Sequence, residues 1–350
     1  MGAMIRGVAA AAVCVTGGLR RCAAAIAKGS RPSAAFVAAV ALAIVGFGAA
    51  EASAGPTCKP KRPRPVVHLR NMGPCAFDPG TLSFVGKPPQ QAACLLRALD
   101  RSRNLAPAPA DLPAALAGRV GQPAGLPARE AIGALLRKLD LERDFAAALW
   151  RPVSRARDND PDAPAARYFV IHDTSGPNYG SRAFPADIDV TPKINNLRLF
   201  WCADGWAKSH VVINRGGGMM VGHDFEIPWR ETKFERAPAF AGALKGLFLH
   251  VELIQPRRRA PGFGRRNDAQ APTPGFTAAQ YERLALLYVI ASVRAGTWMI
   301  PAFHAPIDAD IRGGHDDPQN FDLQMFARGL DDVMRTLQRD ELLASSAIDE

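Results

Sequence analysis

The sequence predicts an α/β (α+β) fold for residues 165–340, with a central mixed β-sheet flanked by helices, and a small, mostly helical region before it. Short apolar runs rich in β-branched and aromatic residues, typical of buried strands, alternate in this part with amphipathic patterns typical of helices. The 31 glycines and 29 prolines among 350 residues indicate long loops between these elements. The length suffices for one large domain or two small ones.

Residues 1–54 have the pattern of a secretory signal peptide. Basic residues precede an apolar run at 34–50, and a short A-x-A sequence ends in Ala54. We expect cleavage after Ala54 and a periplasmic or secreted protein that keeps no integral membrane segment. The alternative is an uncleaved signal anchor, because the run is only slightly shorter than a membrane span. The basic residues are Arg20, Arg21, Lys28 and Arg31.

Residues 55–70 are basic and proline-rich, which predicts a linker at the mature N-terminus. The whole chain has a formal charge of +10, and such a segment is either solvated or attracted to an anionic surface such as a cell envelope. No stretch resembles a nucleic-acid-binding module, so we expect no nucleic acid as a partner.

The cysteines indicate disulfide chemistry rather than a metal site. Signal removal takes two of the six cysteines, and an even number in an exported chain favours disulfides. We predict a bridge between Cys75 and Cys94. No C-x-x-C pair occurs, which argues against a cysteine-based zinc site. The four remaining cysteines are Cys58, Cys75, Cys94 and Cys202.

Residues 71–150 are interpreted as a mostly helical accessory region. The stretches 90–101 and 128–150 carry apolar residues at helical spacing, whereas 105–127 is rich in Ala, Pro and Gly and predicts an irregular connection. The polar, proline-bearing stretch 151–166 is a candidate domain boundary.

Three strands are predicted in the following segment. Residues 168–172 form an apolar run that ends in His172, and residues 209–215 predict a strand that continues through Gly216-Gly217-Gly218 into a hairpin with 219–221. Residues 247–254 predict a third strand, which contains Glu252 among apolar neighbours. A carboxylate at such a position needs a partner or a function, because burying it unpaired is costly.

Two helices complete the predicted pattern. Thr277-Ala278-Ala279-Gln280 is a capping box that begins an apolar stripe ending at Gly296. The short apolar run 298–303 then leads directly to His304, and an amphipathic pattern predicts a final helix after Asp322. Its apolar positions are Leu323, Phe326, Leu330, Val333 and Leu337.

A polar stretch at 313–322 joins these elements to a candidate metal site. It places His315 and three aspartates within ten residues, next to two glycines that permit a tight loop. Neutral imidazole and carboxylate are the ligands of a catalytic zinc, which keeps one position open for water. We therefore expect the strand-end residues His172 and His304 to meet this stretch around one zinc ion.

Residues 165–340 resemble the type 2 zinc N-acetylmuramoyl-L-alanine amidases, a family that includes the peptidoglycan recognition proteins. Several motifs occur in the family's order. Four features depart from the family's pattern: Phe303 replaces a glycine, the loop after His304 is long, Gln319 replaces a glycine, and His315 replaces a lysine or threonine. The matching motifs are Val170-Ile171-His172, Ser209–Arg215 with its glycines, Val251-Glu252-Leu253, Phe276–Gln280, His304 and Asp317-Pro318.

The resemblance implies a zinc hydrolase that acts on peptidoglycan or muropeptides, with a sheet-and-helix fold like that of the family. His172, His304 and Asp317 would bind the zinc, although Asp316 and His315 remain alternatives for the third ligand. Glu252 would be the catalytic base, the alternative being an ion pair with an arginine such as Arg215. His315, if not a ligand, would donate a hydrogen bond to the oxyanion. We expect a monomer.

Two further functions remain open besides the amidase. One is a peptidoglycan-binding module without catalysis, and the other is a zinc hydrolase of a different amide. His210, His223 and His250 are expected to support the site rather than to bind metal. Aromatic residues at 201, 206, 229 and 234 either stack on sugar rings or anchor loops, and the arginines at 257–259 and 265–266 either contact anions or are solvated.

Overall fold

The computed structural model describes residues 75–100, 103–200, 208–259, 269–309 and 311–346. The expected signal peptide, the linker, Cys58, Cys202, Trp201 and Trp206 lie outside the described residues. In chain order the strands and helices are β1 (Phe77–Asp78), β2 (Ser83–Phe84), α1 (Pro88–Leu95), α2 (Ala114–Ala117), α3 (Arg129–Lys138), α4 (Glu142–Phe145), β3 (Tyr168–Asp173), β4 (Val211–Ile213), β5 (Met219–Val221), β6 (Phe248–Leu253), α5 (Ala278–Ala295), β7 (Ile300–Phe303), α6 (His304–Asp308) and α7 (Leu323–Ser346).

The predicted mixed sheet is confirmed. It has five strands in the order β5-β4-β6-β3-β7, and only the edge strand β5 is antiparallel to its neighbour. All six residues of β3 are buried, as expected for a parallel strand covered on both faces. Because the four parallel strands share a direction, their carboxyl ends lie at the same edge of the sheet.

The two faces of the sheet have different covers. On one face Phe169 of β3 contacts Tyr288 of α5, with ring centroids 5.4 Å apart, and α5 in turn packs against α7. On the other face Tyr168 stacks on Phe248, which contacts Phe234 from the segment between β5 and β6. Strand side chains alternate between faces, so His172, His250 and Glu252 lie on this second face.

The capping box that the sequence predicts is present at the start of α5. Thr277 Oγ1 accepts a hydrogen bond from the Gln280 backbone N–H, and Gln280 Oε1 accepts one from the Thr277 N–H. Gly296 ends the helix in the left-handed conformation, where a residue without Cβ is favoured. At the other long helix, Asp322 accepts the N–H groups of Gln324 and Met325, which places it at the start of α7 as predicted.

The N-terminal region packs directly on the sheet. The predicted Cys75–Cys94 disulfide is confirmed. The hydroxyl of Tyr168 accepts the Phe84 N–H at 2.8 Å and donates to Gln91 Oε1 at 2.9 Å, in a buried contact between β3 and the region's hairpin and first helix.

The helical pattern predicted at 128–150 is divided into shorter pieces. Helix α3 ends before Asp140, whose φ of 55° lies in the left-handed region and is incompatible with a continuing helix. The short helix α2 (Ala114–Ala117) lies in the stretch 105–127, for which the sequence predicts an irregular connection. The turn at Ala147–Trp150 is separate from α3, although 128–150 has a single helical pattern in the sequence. Other short turns are Ala156–Asn159, Leu197–Phe200 and Pro238–Phe240.

Among the described residues no helix combines the length and the apolar character needed to cross a membrane.

Candidate metal centre

The three predicted ligands meet at the carboxyl-end edge of the sheet. Strands β3 and β7 are parallel neighbours in which Ile171 pairs with Phe303. The next residue of each strand is therefore a histidine, and the sheet register places His172 beside His304. The loop after α6 returns Asp317 to the same point, and all three side chains are about 1% exposed.

The donor atoms of these residues are spaced for one metal ion. His172 Nδ1 lies 2.9 Å from His304 Nδ1, and Asp317 Oδ2 lies 3.3 Å from His304 Nδ1 and 3.7 Å from His172 Nδ1. Tetrahedral zinc with bonds of about 2.0–2.2 Å separates its ligand atoms by about 3.3–3.6 Å. The three observed distances bracket this range, so these residues fit a single zinc ion.

The electrostatics of the cluster also favour a cation. Burial, together with the neighbouring His304 and His250, lowers the pKa of His172 well below its ordinary value. Burial alone would lower the pKa of His304 and raise that of Asp317, but the attraction between the two groups outweighs burial. The pKa of His304 is consequently raised and that of Asp317 lowered, both by large amounts. Without metal, the carboxylates of Asp317 and Asp308 therefore favour the protonated, cationic form of His304.

Backbone and side-chain groups hold Asp317 in place. Its Oδ2 accepts the N–H of Asp173 at 3.1 Å, and its backbone carbonyl accepts the N–H of Ala305 at 2.8 Å. The loop that carries it is tight at Gly314, where a Cβ would lie only 2.3 Å from the carbonyl oxygen of Asp308. This close approach explains why glycine is required at that position.

A buried ion pair supports the same loop. Arg257 donates to both carboxylate oxygens of Asp173 at 2.6 Å, and Asp173 Oδ2 also accepts the N–H of Gln319 at 3.0 Å. Burial raises the pKa of Asp173 to about 6, against the opposing effect of Arg257. Arg257 is therefore a buried structural residue, and both sequence-based alternatives for it, contact with peptide or envelope anions and solvation, are wrong.

Glu252 lies beside the ligands on the adjacent strand, where it is the register partner of His172. Its Oε2 is buried and receives no hydrogen bond from the described residues. Burial, followed by the repulsion of Glu231 and Asp317, raises its pKa well above the ordinary value. The suggested ion pair with Arg215 is not formed, because Arg215 pairs with Asp189 at 2.7 Å.

Glu231 forms a carboxyl pair with Glu252 that sequence reasoning missed. The two side chains are within hydrogen-bonding reach, and burial raises the pKa of Glu231 to about 7. Both carboxyl groups therefore bind a proton more tightly than an exposed glutamate does, and a nearby cation would lower both pKa values because it favours the carboxylate forms. Glu231 is in a loop without periodicity, so no sequence pattern identifies it.

His315 lies at the open side of the cluster. Its side chain is 51% exposed, its Nδ1 is 3.6 Å from Asp317 Oδ1, and its ring centroid is 4.5 Å from that of His304. Asp316 instead pairs with Arg103 at 2.7 Å and accepts a hydrogen bond from Gln319. Among the alternatives for the third ligand, the donor spacing therefore favours Asp317.

The outer nitrogens of both histidine ligands are also hydrogen-bonded. His304 Nε2 lies 3.0 Å from Asp308 Oδ2, and His172 Nε2 lies 3.0 Å from His250 Nδ1. His250 also belongs, with His172 and Glu231, to a second group of side chains close enough to hold a metal. Asp308 was not identified from the sequence, although it follows His304 by four residues on one helical turn.

The remaining candidates have structural contacts. His210 is buried and accepts the backbone N–H of His250 at 3.0 Å. The rings of His223 and Trp229 are in contact, with centroids 4.2 Å apart and planes tilted by 31°, and Trp229 donates to the carbonyl of Lys208. Phe234 is buried among Phe77, Phe84 and Phe240, which makes it a core residue and not a sugar platform.

No known protein family, curated protein or solved structure matches this chain.

Proposed function

We propose that this protein is a zinc-dependent N-acetylmuramoyl-L-alanine amidase, which hydrolyses the amide bond between N-acetylmuramic acid and L-alanine in peptidoglycan or muropeptides. The observation that carries the proposal is the convergence of His172 Nδ1, His304 Nδ1 and an Asp317 oxygen beside the buried carboxyl group of Glu252. The order of motifs that resembles the type 2 amidases provides the substrate class.

The ligand set suits a hydrolytic zinc. Two neutral imidazoles and one carboxylate leave a net positive charge and an open coordination position. A zinc ion held there would lower the pKa of a bound water and polarise the scissile carbonyl. His172, His304 and Asp317 would hold the ion, and their burial excludes competing solvent from three sides of it.

The other residues provide proton transfer and charge stabilisation. Glu252 accepts the proton of the attacking water and passes it to the leaving amine of L-alanine. Burial and the pairing with Glu231 raise the pKa of Glu252, which increases its affinity for the proton of the water. His315, at the exposed side, donates a hydrogen bond to the oxyanion that develops on the amide carbonyl.

The test is digestion of purified peptidoglycan by the purified, zinc-loaded protein, with products identified by mass spectrometry. We expect free stem peptides that begin with L-alanine, loss of release after chelation, and recovery on adding zinc. Binding to peptidoglycan without release would instead indicate a recognition module. Absence of stem-peptide release with zinc present, together with cleavage of another amide, would replace the proposed substrate.

A further inference from the structure

We propose that Glu235 and His250 are positioning residues that set which nitrogen of His172 carries a proton, and thereby present Nδ1 to the metal. This inference rests on the metal centre of the proposed function. It does not depend on which amide is cleaved.

The three side chains form a continuous buried chain of hydrogen bonds. His172 Nε2 lies 3.0 Å from His250 Nδ1, and His250 Nε2 lies 3.3 Å from Glu235 Oε1. Glu235 and His250 are fully buried, and His172 is 1% exposed. Water therefore does not replace any of these bonds from outside.

Only one proton arrangement along this chain suits metal binding. A metal at His172 Nδ1 needs the lone pair of that nitrogen, so the proton must be on Nε2. His172 then donates to His250 Nδ1, and His250 must carry its own proton on Nε2. That proton is donated to Glu235, which in its ionised form accepts and does not donate. Burial raises the pKa of Glu235 to about 7, so this form is favoured above that pH. The carboxylate thus determines the tautomer of a metal ligand two side chains away.

Glu235, at the end of this series of hydrogen bonds, is held in a fixed orientation. Glu235 Oε2 accepts the backbone N–H and the hydroxyl of Thr232 at 3.0 and 2.9 Å and the N–H of Glu231 at 3.1 Å, and the Glu235 N–H is donated back to Thr232 Oγ1. His250 Nε2 lies 3.3 Å from both Glu235 oxygens, and Oε1 is the one that the Thr232 and Glu231 donors leave open. His250 is itself held at its backbone by His210 and Ser209.

His304 has the same support in a shorter form. Its Nε2 donates directly to Asp308 Oδ2, whose other oxygen accepts the N–H of Phe234 at 2.9 Å. Both histidine ligands therefore have a carboxylate that keeps the proton of the neutral imidazole on the outer nitrogen, which leaves Nδ1 to bind the metal. Outer-sphere carboxylates of this kind orient metal-binding histidines in general.

Glu235→Gln reverses the donor-to-acceptor direction of the hydrogen bonds between residue 235, His250 and His172. The donors of Thr232 and Glu231 require an acceptor, so the amide oxygen must take the Oε2 position and the NH₂ group must face His250 Nε2. His250 then carries its proton on Nδ1 and donates to His172 Nε2, which moves the His172 proton to Nδ1. The ligand nitrogen is blocked, and we expect zinc affinity to fall about 10- to 100-fold.

His250→Asn separates this effect from a general loss of packing. An asparagine amide oxygen in place of His250 Nδ1 still accepts the hydrogen bond of His172 Nε2. Its acceptor role is fixed, so a change at residue 235 no longer alters the tautomer of His172. We therefore expect Glu235→Gln to have no further effect on zinc affinity in the His250→Asn background. Asp224→Asn is the matched control, since Asp224 lies in the same segment and pairs with Arg294.

The experiment measures the zinc dissociation constant of the full chain by competition with a chromophoric chelator, alongside thermal unfolding of each variant. A 10- to 100-fold weakening by Glu235→Gln, abolished by His250→Asn, supports the inference. The inference is overturned if Glu235→Gln binds zinc as tightly as the unchanged protein. It is also overturned if Glu235→Gln weakens zinc binding equally in the unchanged protein and in the His250→Asn variant. If the unchanged protein binds zinc but does not release stem peptides, the amidase proposal fails while this inference is still tested.

Discussion

Replacing Glu252 by glutamine is the sharpest test of how the site performs hydrolysis. The substitution keeps the shape of the side chain but removes its ability to accept a proton. Because Glu252 Oε2 receives no hydrogen bond from the described residues, the change removes no hydrogen bond of that atom. The three metal ligands are unchanged, so we expect zinc to remain bound.

The expected loss follows from the role of a general base. Such a group contributes about 10²- to 10⁴-fold to the rate, equivalent to about 3–5 kcal/mol of transition-state stabilisation. Stability should not fall in parallel. Glutamine removes the repulsion between Glu252 and Glu231, and its amide group can donate to the Glu231 carboxylate. We therefore expect an unchanged or raised unfolding temperature.

The assay compares stem-peptide release, zinc content and unfolding temperature for Glu252→Gln and for Glu282→Gln, a change at an exposed position on α5. Turnover should fall only in the Glu252 variant, with zinc retained in both. Undiminished turnover in Glu252→Gln would remove Glu252 from the mechanism. Loss of zinc in that variant would show that Glu252 takes part in holding the metal.

Three further outcomes are expected. His172→Ala should lose both zinc and stem-peptide release, and retained zinc measured by elemental analysis would overturn the ligand set. Zinc binding near pH 7 should release about one to two protons. The pKa of His304 is raised in the metal-free protein while those of His172 and Asp317 are lowered, and a cation also favours the carboxylate forms of the Glu231–Glu252 pair. Calorimetry in buffers of different ionisation enthalpy would contradict this if no proton appeared. Cys94→Ala should destabilise the fold by about 2–4 kcal/mol, measured by denaturant unfolding, and an unchanged midpoint would refute it.

Local patterns made much of the sheet and both long helices predictable. The apolar run ending in His172, the hairpin glycines and the Thr277 capping box each depend on neighbouring residues, and each is present in the structure. The meeting of His172 and His304 was predictable in outline, because parallel strands bring their carboxyl ends together. The division of the 128–150 pattern was not, since it depends on a left-handed backbone at Asp140 that apolar spacing does not encode.

The supporting carboxylates could not be predicted because they act through tertiary contacts. Glu231 and Glu235 lie in the segment between β5 and β6, and they reach the site only because that segment covers one face of the sheet. A local signal did exist for Glu235: Thr232-x-x-Glu235 has the spacing of a capping box, here without a following helix. Nothing in the sequence alone connects that pair to His250, which lies on a different strand.

The central claim is that His172, His304 and Asp317 form one zinc site that serves amide hydrolysis. The most direct test is zinc stoichiometry of the purified chain, measured by elemental analysis in the same preparation that is assayed for cleavage of peptidoglycan. We predict a single zinc ion per chain, with zinc content and stem-peptide release lost together in His172→Ala. A chain that releases stem peptides without zinc, or a His172→Ala variant that keeps the full metal content, would contradict the account.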